Sequence, residues 1–153
     1  MSPVSFFVAG IPIPQGSMSA FVINGRAQIT DQKKKKLKPW RAAIADRAAG
    51  SWLDRSQLLG PVEVYAVFVF ERPKTVTRRM PSVKGADLDK LVRALLDGIG
   101  DAETVWKDDS QVVRLVVEKV YGAVPGVHAS VSEVSADQPT RGERLLAGME
   151  KEV

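Results

Sequence analysis

The alternation of apolar and polar residues predicts six β-strands, three of them in the N-terminal part of the chain. A short apolar run, Ser5–Ala9, ends at a segment with two glycines and two prolines, Gly10–Gly16, so we expect a strand that leads into a loop. Ala20–Ile23 and Ala27–Thr30 flank Asn24-Gly25, a dipeptide that favours a type I′ turn. These two segments are predicted to form a small hairpin.

A helical spacing of apolar residues then predicts the first helix, from Pro39 to about Gly50. The positions that recur every three or four residues are Trp40, Ala43, Ile44 and Ala48. Proline is tolerated in the first turn of a helix, which is where this interpretation places Pro39. After the break at Gly60-Pro61, the β-branched and aromatic run Val62–Phe70 predicts a central strand.

The second helix is predicted after a polar, basic loop, Glu71–Ala86, which contains two prolines. One apolar face recurs at helical spacing in Leu91, Val92, Leu95, Leu96 and Ile99. Either Asp87 or Asp89 is expected to cap the start of this helix, and Gly98 or Gly100 to lie near its end.

The remaining pattern predicts two more strands, Gln111–Tyr121 and Val127–Val134, joined by a turn at Gly122–Gly126. Together these elements predict an α+β fold in which two main helices pack on one face of a mixed or antiparallel sheet. We expect a single domain over residues 1–134. Residues 135–153 are predicted to form a flexible polar tail with at most a short helix near Arg144–Met149.

Composition narrows the chemistry that this domain can perform. The 153 residues are 44% hydrophobic and 26% charged, as expected for one soluble globular domain. The absence of cysteine excludes disulfides, thiolate nucleophiles and cysteine-ligated zinc. The single histidine, His128, lies in a predicted strand, which disfavours a serine–histidine triad. Because neither a bilayer-length apolar run nor a signal segment is visible, we expect a cytoplasmic protein without a membrane partner.

The formal net charge of +4 is modest, but the basic residues gather in two clusters that can meet phosphates. The first contains Lys33, Lys34, Lys35, Lys36, Lys38 and Arg41, and the second contains Arg72, Lys74, Arg78, Arg79 and Lys84. Charge alone favours a solvated face over a nucleic-acid interface.

Acidic residues offer a candidate metal site. Asp87 and Asp89 stand at the start of the second helix, and Asp108-Asp109 follows it, where a return of the chain can bring the two groups together. Carboxylates that converge repel one another unless a cation neutralises them, and Mg²⁺ prefers oxygen ligands. Such a site would support phosphodiester hydrolysis. Helix capping by Asp87 or Asp89, with a simple turn at Asp108-Asp109, is the alternative that spacing leaves open.

These acidic segments resemble the RusA family of Holliday junction resolvases, whose signature is approximately D-x-D-N-L-x-K, then L-D-A-L in a helix, then W-x-D-D-x-Q-V and a strand that ends in lysine. The matching segments here are Asp87–Arg93, Leu96–Ile99, Trp106–Val112 and Lys119. The N-terminal strand with Gly10-Ile11-Pro12 is also similar to the family, so the resemblance covers roughly residues 5–134.

The resemblance implies a homodimeric endonuclease that nicks two opposing strands of a four-way DNA junction, as found in phage and bacterial recombination and repair. It implies Mg²⁺, with Mn²⁺ as a substitute, bound by Asp87, Asp89 and Asp109, and a catalytic cation at Arg93. A two-fold dimer would present two such sites to a junction of matching symmetry. The residues expected to contact DNA are Lys34, Lys35, Lys36, Lys38, Arg41, Arg78, Arg79, Lys84, Lys90 and Lys119.

The sequence departs from the family pattern at two positions. Lys90 replaces the usual asparagine, and Arg93 replaces the usual lysine. Arg93 keeps the charge but can pair with Asp89 or Asp97, each four residues away on a helix. Lys90 can compete with a metal ion or bind the scissile phosphate. A non-catalytic protein that binds branched DNA, and an interaction domain whose acids are only helix caps, therefore stand as alternatives.

Overall fold

A four-stranded mixed sheet forms the centre of the fold. The computed structural model describes residues 3–16, 20–23, 26–29, 31–81 and 86–150. For the described residues between 20 and 34, it describes the backbone but not the side chains. The strands are β1 (Val4–Ala9), β4 (Val62–Phe70), β5 (Val112–Tyr121) and β6 (Gly126–Glu133). Their order in the sheet is β1–β6–β4–β5, and only β4 and β5 run parallel.

A two-stranded hairpin stands apart from this sheet. It consists of β2 (Ala20–Ile23) and β3 (Arg26–Ile29), which pair antiparallel, so the predicted hairpin is confirmed. The Asn24-Gly25 turn on which that prediction rested lies outside the described residues.

The first helix, α1, spans Asp31–Ser51 and is much longer than the sequence predicted. The expectation that Pro39 stands in the first turn is wrong, because the helix begins eight residues before it. Pro39 lacks the N–H that would otherwise bond to the carbonyl of Lys35, so the helix passes through it with one backbone bond missing. The lysine-rich residues before the proline are good helix formers, which accounts for the early start.

The second helix, α2, spans Leu88–Asp101 and confirms the helix predicted there. Gly98 and Gly100 lie near its C-terminal end, as predicted, and both are inside the helix, which ends at Asp101. Gly98 is buried against Ile44 of α1, where an added Cβ would come within 2.7 Å of the isoleucine Cγ2. The glycine therefore allows the two helices to approach closely rather than ending one of them.

The core lies between the sheet and these two helices. Alternate residues of β4 point into it and are buried: Val62, Val64, Ala66 and Phe68. They meet the buried faces of α1 and α2, which include Ile44, Leu91, Leu95 and Ile99. The opposite face of the sheet carries Tyr65, which is exposed. The predicted α+β architecture, with two helices packed on one face, is confirmed.

Two short elements flank β5 and β6. A 3-10 turn, Asp109–Gln111, leads into β5, and a third helix, α3 (Arg141–Glu150), follows β6 with every residue exposed. The short helix predicted near Arg144–Met149 is present and is somewhat longer. Within the ranges that the structure describes, no helix has the length and apolar character needed to cross a membrane.

Candidate active site

The first candidate acid, Asp87, occupies the N-cap position of α2, as predicted, but its side chain does not cap the helix. Its backbone is extended (φ −70°, ψ 136°), and its side chain makes no capping hydrogen bond. The carboxylate instead forms an ion pair of 3.3 Å with Lys90 Nζ, and the Asp87 side chain is 61% exposed. Helix capping, the alternative explanation of this residue, is therefore not what its side chain does.

Asp89 lies in the first turn of α2 and is exposed. A carboxylate in this position is favoured by the helix dipole. Arg93, one turn further along, is also exposed, and neither side chain has a hydrogen-bond or ion-pair partner in the part of the chain that the structure describes. Arg93 therefore does not form the pair with Asp89 or Asp97 that its spacing allowed.

The acids after α2 differ sharply in their surroundings. Asp108 caps the 3-10 turn, since its Oδ1 accepts a hydrogen bond of 2.8 Å from the backbone N–H of Ser110. This bond lowers the pKa of Asp108. The Asp108 carboxylate is thus used to cap the turn, whereas the carboxyl of the neighbouring Asp109 makes no capping hydrogen bond.

Gln111 completes this turn and fixes it to the core. Its Oε1 accepts hydrogen bonds from the backbone N–H groups of Lys107 (2.9 Å) and Asp108 (3.0 Å). Its Nε2 donates to the carbonyl oxygens of Leu58 (2.8 Å) and Gly60 (3.0 Å). Four hydrogen bonds occupy the amide, so Gln111 positions the turn that carries Asp109 and is not available to contact DNA.

The Asp109 carboxyl is surrounded by negative charge. Its pKa is raised from the usual 3.8, first by partial burial, then by the hydrogen bond and charge of Asp108, and last by the charge of Asp97. Since a nearby carboxylate disfavours ionisation, this group gains from any cation that approaches it. Asp97 is the residue of α2 whose charge reaches Asp109, a relation that spacing in the sequence did not reveal.

Asp97 is held by residues from the N-terminal half of the chain. Gln15 Nε2 donates a hydrogen bond of 2.6 Å to its Oδ2, and Arg41 Nη1 lies 3.9 Å from the same oxygen. The backbone N–H of Gln15 also donates to the carbonyl of Lys90 (3.0 Å). The loop before β2 is therefore bound along α2, a contact for which the sequence contains no local signal.

Arg41 was predicted to contact DNA, but the structure places its guanidinium against α2. Nη2 and Nε donate to the carboxylate of Asp101 at 2.9 and 3.0 Å, and Nη1 donates to Gln15 Oε1 at 3.4 Å. Arg41 thus joins α1 to α2 and to the N-terminal loop. A basic cluster in the sequence does not show which of its residues pairs with an acidic residue of the same chain.

Lys119 also connects two parts of the site. It lies on the helix-facing side of β5, opposite Phe68 of β4. Its Nζ donates a hydrogen bond of 3.0 Å to the carbonyl oxygen of Ala86, the residue before Asp87. The predicted DNA-contacting lysine therefore holds the start of α2 against the sheet.

The other predicted DNA-contacting residues lie on open surfaces. Lys35, Lys36 and Lys38 are exposed along α1, and a shallow groove of about 560 Å³ lies between Lys35, Lys38, Pro39 and Ala42. Arg78 and Arg79 are exposed in the segment after β4. Lys84 and the side chain of Lys34 lie outside the described residues.

The predicted three-carboxylate cluster is not assembled in this structure. Within residues 3–16, 35–81 and 86–150, no three acidic or histidine side chains lie close enough together to hold one metal ion. The three carboxylates are nevertheless of the chemical type that binds a hard cation. The Asp87 side chain makes no capping hydrogen bond, and Asp89 has no partner among the described residues. Asp109 lies near the negative charges of Asp108 and Asp97. All are oxygen ligands, and α2 contacts the turn that bears Asp109.

Comparison with known proteins places these features in a family. The family described as Endodeoxyribonuclease RusA matches residues 12–132, which include α2, the 3-10 turn and β5. The uncharacterized protein YqaN of Bacillus subtilis (strain 168) is 30% identical over 148 residues, an alignment that covers 89% of this chain and 100% of YqaN. The resemblance noted from the acidic motifs is confirmed: this chain belongs to the RusA endodeoxyribonuclease family.

Proposed function

We propose that this protein is a magnesium-dependent endonuclease that resolves four-way DNA junctions. The observation that carries the proposal is the state of Asp109 at a turn packed against α2, in a chain of the RusA family. Its pKa is raised first by burial and then by the hydrogen bond and charge of Asp108 and the charge of Asp97. A site with excess negative charge and exposed carboxylates is suited to a divalent cation and a phosphodiester.

Asp87, Asp89 and Asp109 would hold the ion. Bound there, Mg²⁺ supplies Lewis acidity toward a phosphoryl oxygen and lowers the pKa of a water molecule. The chain supplies rigidity on both sides of the site: Lys119 holds the backbone before Asp87, and Gln111 holds the turn before Asp109. The Asp109 carboxyl is not engaged in the cap, so its side chain would turn toward α2 for the three acids to share one ion.

Two cations beside the acids have different proposed roles. Arg93 is exposed on α2 and has no partner among the described residues, so its guanidinium is free to bind the scissile phosphate in a bidentate manner. Lys90 neutralises Asp87 in the free protein through the 3.3 Å ion pair. With Asp87 bound to a metal ion, the Lys90 ammonium group would be available to pair with a phosphate oxygen.

Branched DNA would be held mainly through its backbone. Lys35, Lys36 and Lys38 on α1, together with Arg78 and Arg79 after β4, present exposed positive charge that suits phosphate groups. Such a surface selects DNA by shape and charge rather than by a long sequence. A homodimer would supply two sites to the two opposing strands of a junction.

A non-catalytic protein that binds branched DNA is the second candidate. The Lys90–Asp87 ion pair favours it, because a lysine at this position already neutralises one of the three acids. Under this alternative the chain would bind a junction as the enzyme does but leave its strands intact.

Incubation of the purified protein with a labelled four-way junction, with Mg²⁺, with Mn²⁺ and with EDTA, separates the two candidates. We expect paired nicks that need the metal and are lost in Asp89→Asn, with Asp46→Asn on the exposed face of α1 as the matched control. Isothermal titration of the metal alone should show binding that Asp109→Asn abolishes. Junction binding without nicking under every metal condition would refute the nuclease.

Lys90→Asn sharpens this experiment because it removes the competing cation and restores the residue usual in the family. If the lysine only competes with the metal, the variant should bind Mg²⁺ more tightly and nick at lower Mg²⁺ concentration. If Lys90 also contacts the phosphate, the variant should need less metal but bind the junction more weakly. An unchanged metal requirement would contradict both roles.

A further inference from the structure

The N-terminal loop, residues 10–16, is held against the rest of the fold at both of its ends. At its start, Gly10 lies against the ring of Trp40, since an added Cβ would lie 3.4 Å from the Trp40 Cζ3 atom. At its end, the backbone N–H of Gln15 donates a hydrogen bond of 3.0 Å to the carbonyl oxygen of Lys90 in α2. Two prolines between these points restrict the backbone. The loop therefore has little freedom to change its course along α2.

The end of this loop lies beside the ion pair between Lys90 and Asp87. An added Cβ at Gly16 would lie 3.9 Å from Lys90 Cδ, so the loop backbone borders the aliphatic stem of the lysine. The ammonium group of the same lysine lies 3.3 Å from the Asp87 carboxylate. A lysine side chain is long and flexible, so a segment that borders its stem limits the directions that it can take. The loop thus restricts the position of the Lys90 ammonium group at the candidate site.

The side chain of Gln15 binds the loop to α2 at a second point. Its Nε2 donates a hydrogen bond of 2.6 Å to Oδ2 of Asp97, which stands about two helical turns after Lys90 on the same side of the helix. Arg41 Nη1 lies 3.4 Å from Gln15 Oε1 and 3.9 Å from the same Asp97 oxygen. The two ends of the Gln15 amide therefore face an acceptor and a donor, which fixes the orientation of the amide.

These contacts of Gln15 contribute orientation rather than stability. The side chains of Arg41 and Asp97 are 31% and 30% exposed, and ion pairs within reach of water add little to the free energy of folding. The close packing of Gly98 against Ile44 already joins α1 to α2. The hydrogen bond from Gln15 to the Asp97 carboxylate is, by contrast, short and directional. Its main effect is to hold the loop at one position along α2.

We infer that Gln15 is a positioning residue of the nuclease, which holds the N-terminal loop against α2 and so keeps the Lys90 ammonium group beside Asp87, where the scissile phosphate would bind. In this role Gln15 touches neither the metal ion nor the DNA and acts through Lys90. The inference rests on the proposed function, because it gives Lys90 a part in binding the phosphate.

Nicking of a labelled four-way junction at saturating Mg²⁺ and junction tests this role. We expect Gln15→Ala to lower the nicking rate about tenfold or more, because a small displacement of a group beside the reacting phosphate is costly. The dissociation constant for the junction in EDTA should stay near the wild-type value, since Gln15 makes no contact with DNA. Hydrogen exchange of the free variant should be faster in residues 10–16.

A reversed hydrogen bond separates positioning from the loss of one side chain. Gln15→Glu alone sets a second carboxylate against Asp97 and should lower the rate as Gln15→Ala does. Gln15→Glu combined with Asp97→Asn exchanges donor and acceptor, and the rate should recover. Arg47→Gln is the matched control, because it removes a hydrogen bond of 3.0 Å from α1 to the Phe7 carbonyl but leaves the loop contacts in place. It should nick as the wild type does at temperatures where it remains folded.

The Lys90→Asn variant shows whether Gln15 acts through the lysine. Adding Gln15→Ala to it should cause no further loss of rate, since the group that the loop positions is already absent. Three results would overturn the inference while the wild type still nicks: full activity of Gln15→Ala, an equal fold loss with and without Lys90, and no recovery in the donor–acceptor exchange although hydrogen exchange shows the loop protected again. A wild type that nicks with neither Mg²⁺ nor Mn²⁺ would instead refute the proposed function, and the role of Gln15 in the reaction with it.

Discussion

Lys119 and Ala86 are joined by a hydrogen bond of 3.0 Å that connects the ammonium group of β5 to the carbonyl directly before Asp87. The bond fixes the start of α2 to the strand that the helix leads into. Lys119→Met keeps most of the aliphatic stem but removes the donor, and we expect it to lower the free energy of unfolding by about 1 kcal/mol. Urea denaturation followed by circular dichroism measures this change.

The same variant should also lower the rate of junction cleavage at temperatures where the protein remains folded, because the backbone before Asp87 loses its support. Lys107→Met serves as the control, because Lys107 is exposed and lies just before the 3-10 turn that carries Asp109. It should change neither the cleavage rate nor the free energy of unfolding. Equal cleavage rates for Lys119→Met and the wild type would show that the hydrogen bond does not position the acid.

Gln111 makes four hydrogen bonds with its side-chain amide, and two variants can separate them. Gln111→Ala removes all four and should lower the free energy of unfolding by about 1–3 kcal/mol. Gln111→Glu keeps the acceptors for Lys107 and Asp108 but sets a carboxylate oxygen against the carbonyls of Leu58 and Gly60. We expect it to be destabilised at neutral pH and to recover partly in acid, where a protonated glutamate can donate once.

Asp109 should make the metal-free protein less stable at neutral pH. Its pKa is raised, so the ionised carboxylate is less favourable in the folded chain than in the unfolded chain. Asp109→Asn removes that cost, and we expect the variant to unfold at a higher temperature than the wild type at pH 7 in EDTA. The gain should vanish as the pH falls below the ordinary value of 3.8, where both states hold the proton.

Asp108 provides the opposite control for this measurement. Its pKa is lowered by the hydrogen bond from Ser110, so its contribution to stability is present above the ordinary pKa of 3.8 and is lost as the pH falls through the lower folded value. Asp108→Ala should therefore unfold at a lower temperature at pH 7. Shifts of the unfolding temperature with the same sign in the two variants would contradict this assignment, in which Asp108 is the cap and Asp109 is the acid whose ionised form is disfavoured.

Gly98 is expected to tolerate no side chain. A Cβ there would lie 2.7 Å from Ile44 Cγ2, and Gly98→Ala should cost about 1–3 kcal/mol through overpacking between α1 and α2. Gly148 of α3 has open space around it, so Gly148→Ala should instead stabilise its helix by about 0.5–1 kcal/mol. Thermal unfolding of the two variants gives shifts of opposite sign if the helix contact is as described.

The basic residues of α1 should separate into two groups when DNA binding is measured against salt concentration. Lys38 is exposed, so Lys38→Gln should reduce the slope of log affinity against log salt by about 1 if the lysine contacts a phosphate. Arg41→Gln should leave that slope unchanged and lower stability, because the arginine is paired with Asp101. Equal slopes for Lys38→Gln and the wild type would remove α1 from the DNA interface.

The sheet and the helices could be predicted from the sequence because their signals are local. Val62–Phe70 alternates as a half-buried strand must, and the apolar spacing of α2 selects its buried face. The start of α1 could not be predicted in the same way. Pro39 was interpreted as part of the first turn, but the helix-forming residues before it extend the helix back to Asp31.

The candidate site was harder to predict, since side-chain partners depend on segments far apart in the chain. Spacing suggested that Asp87, Asp89 and Asp109 converge, but the acid of α2 that influences Asp109 electrostatically is Asp97. Arg41 and Lys119 were predicted to contact DNA because they are basic. In the structure, each donates a hydrogen bond to an acceptor of the same chain. Charge in a sequence identifies the type of interaction but not the partner.

Every candidate acid lies on the one connection between the parallel strands β4 and β5. The spacing of the acids is therefore set by a single stretch of chain, residues 71–111, whose two ends are pinned to adjacent strands. Insertions or deletions in the hairpin, or after β6, leave the number of residues between the acids unchanged. The fold thus permits relatives to vary the segments outside this stretch while the acid-bearing segment is inherited as a unit.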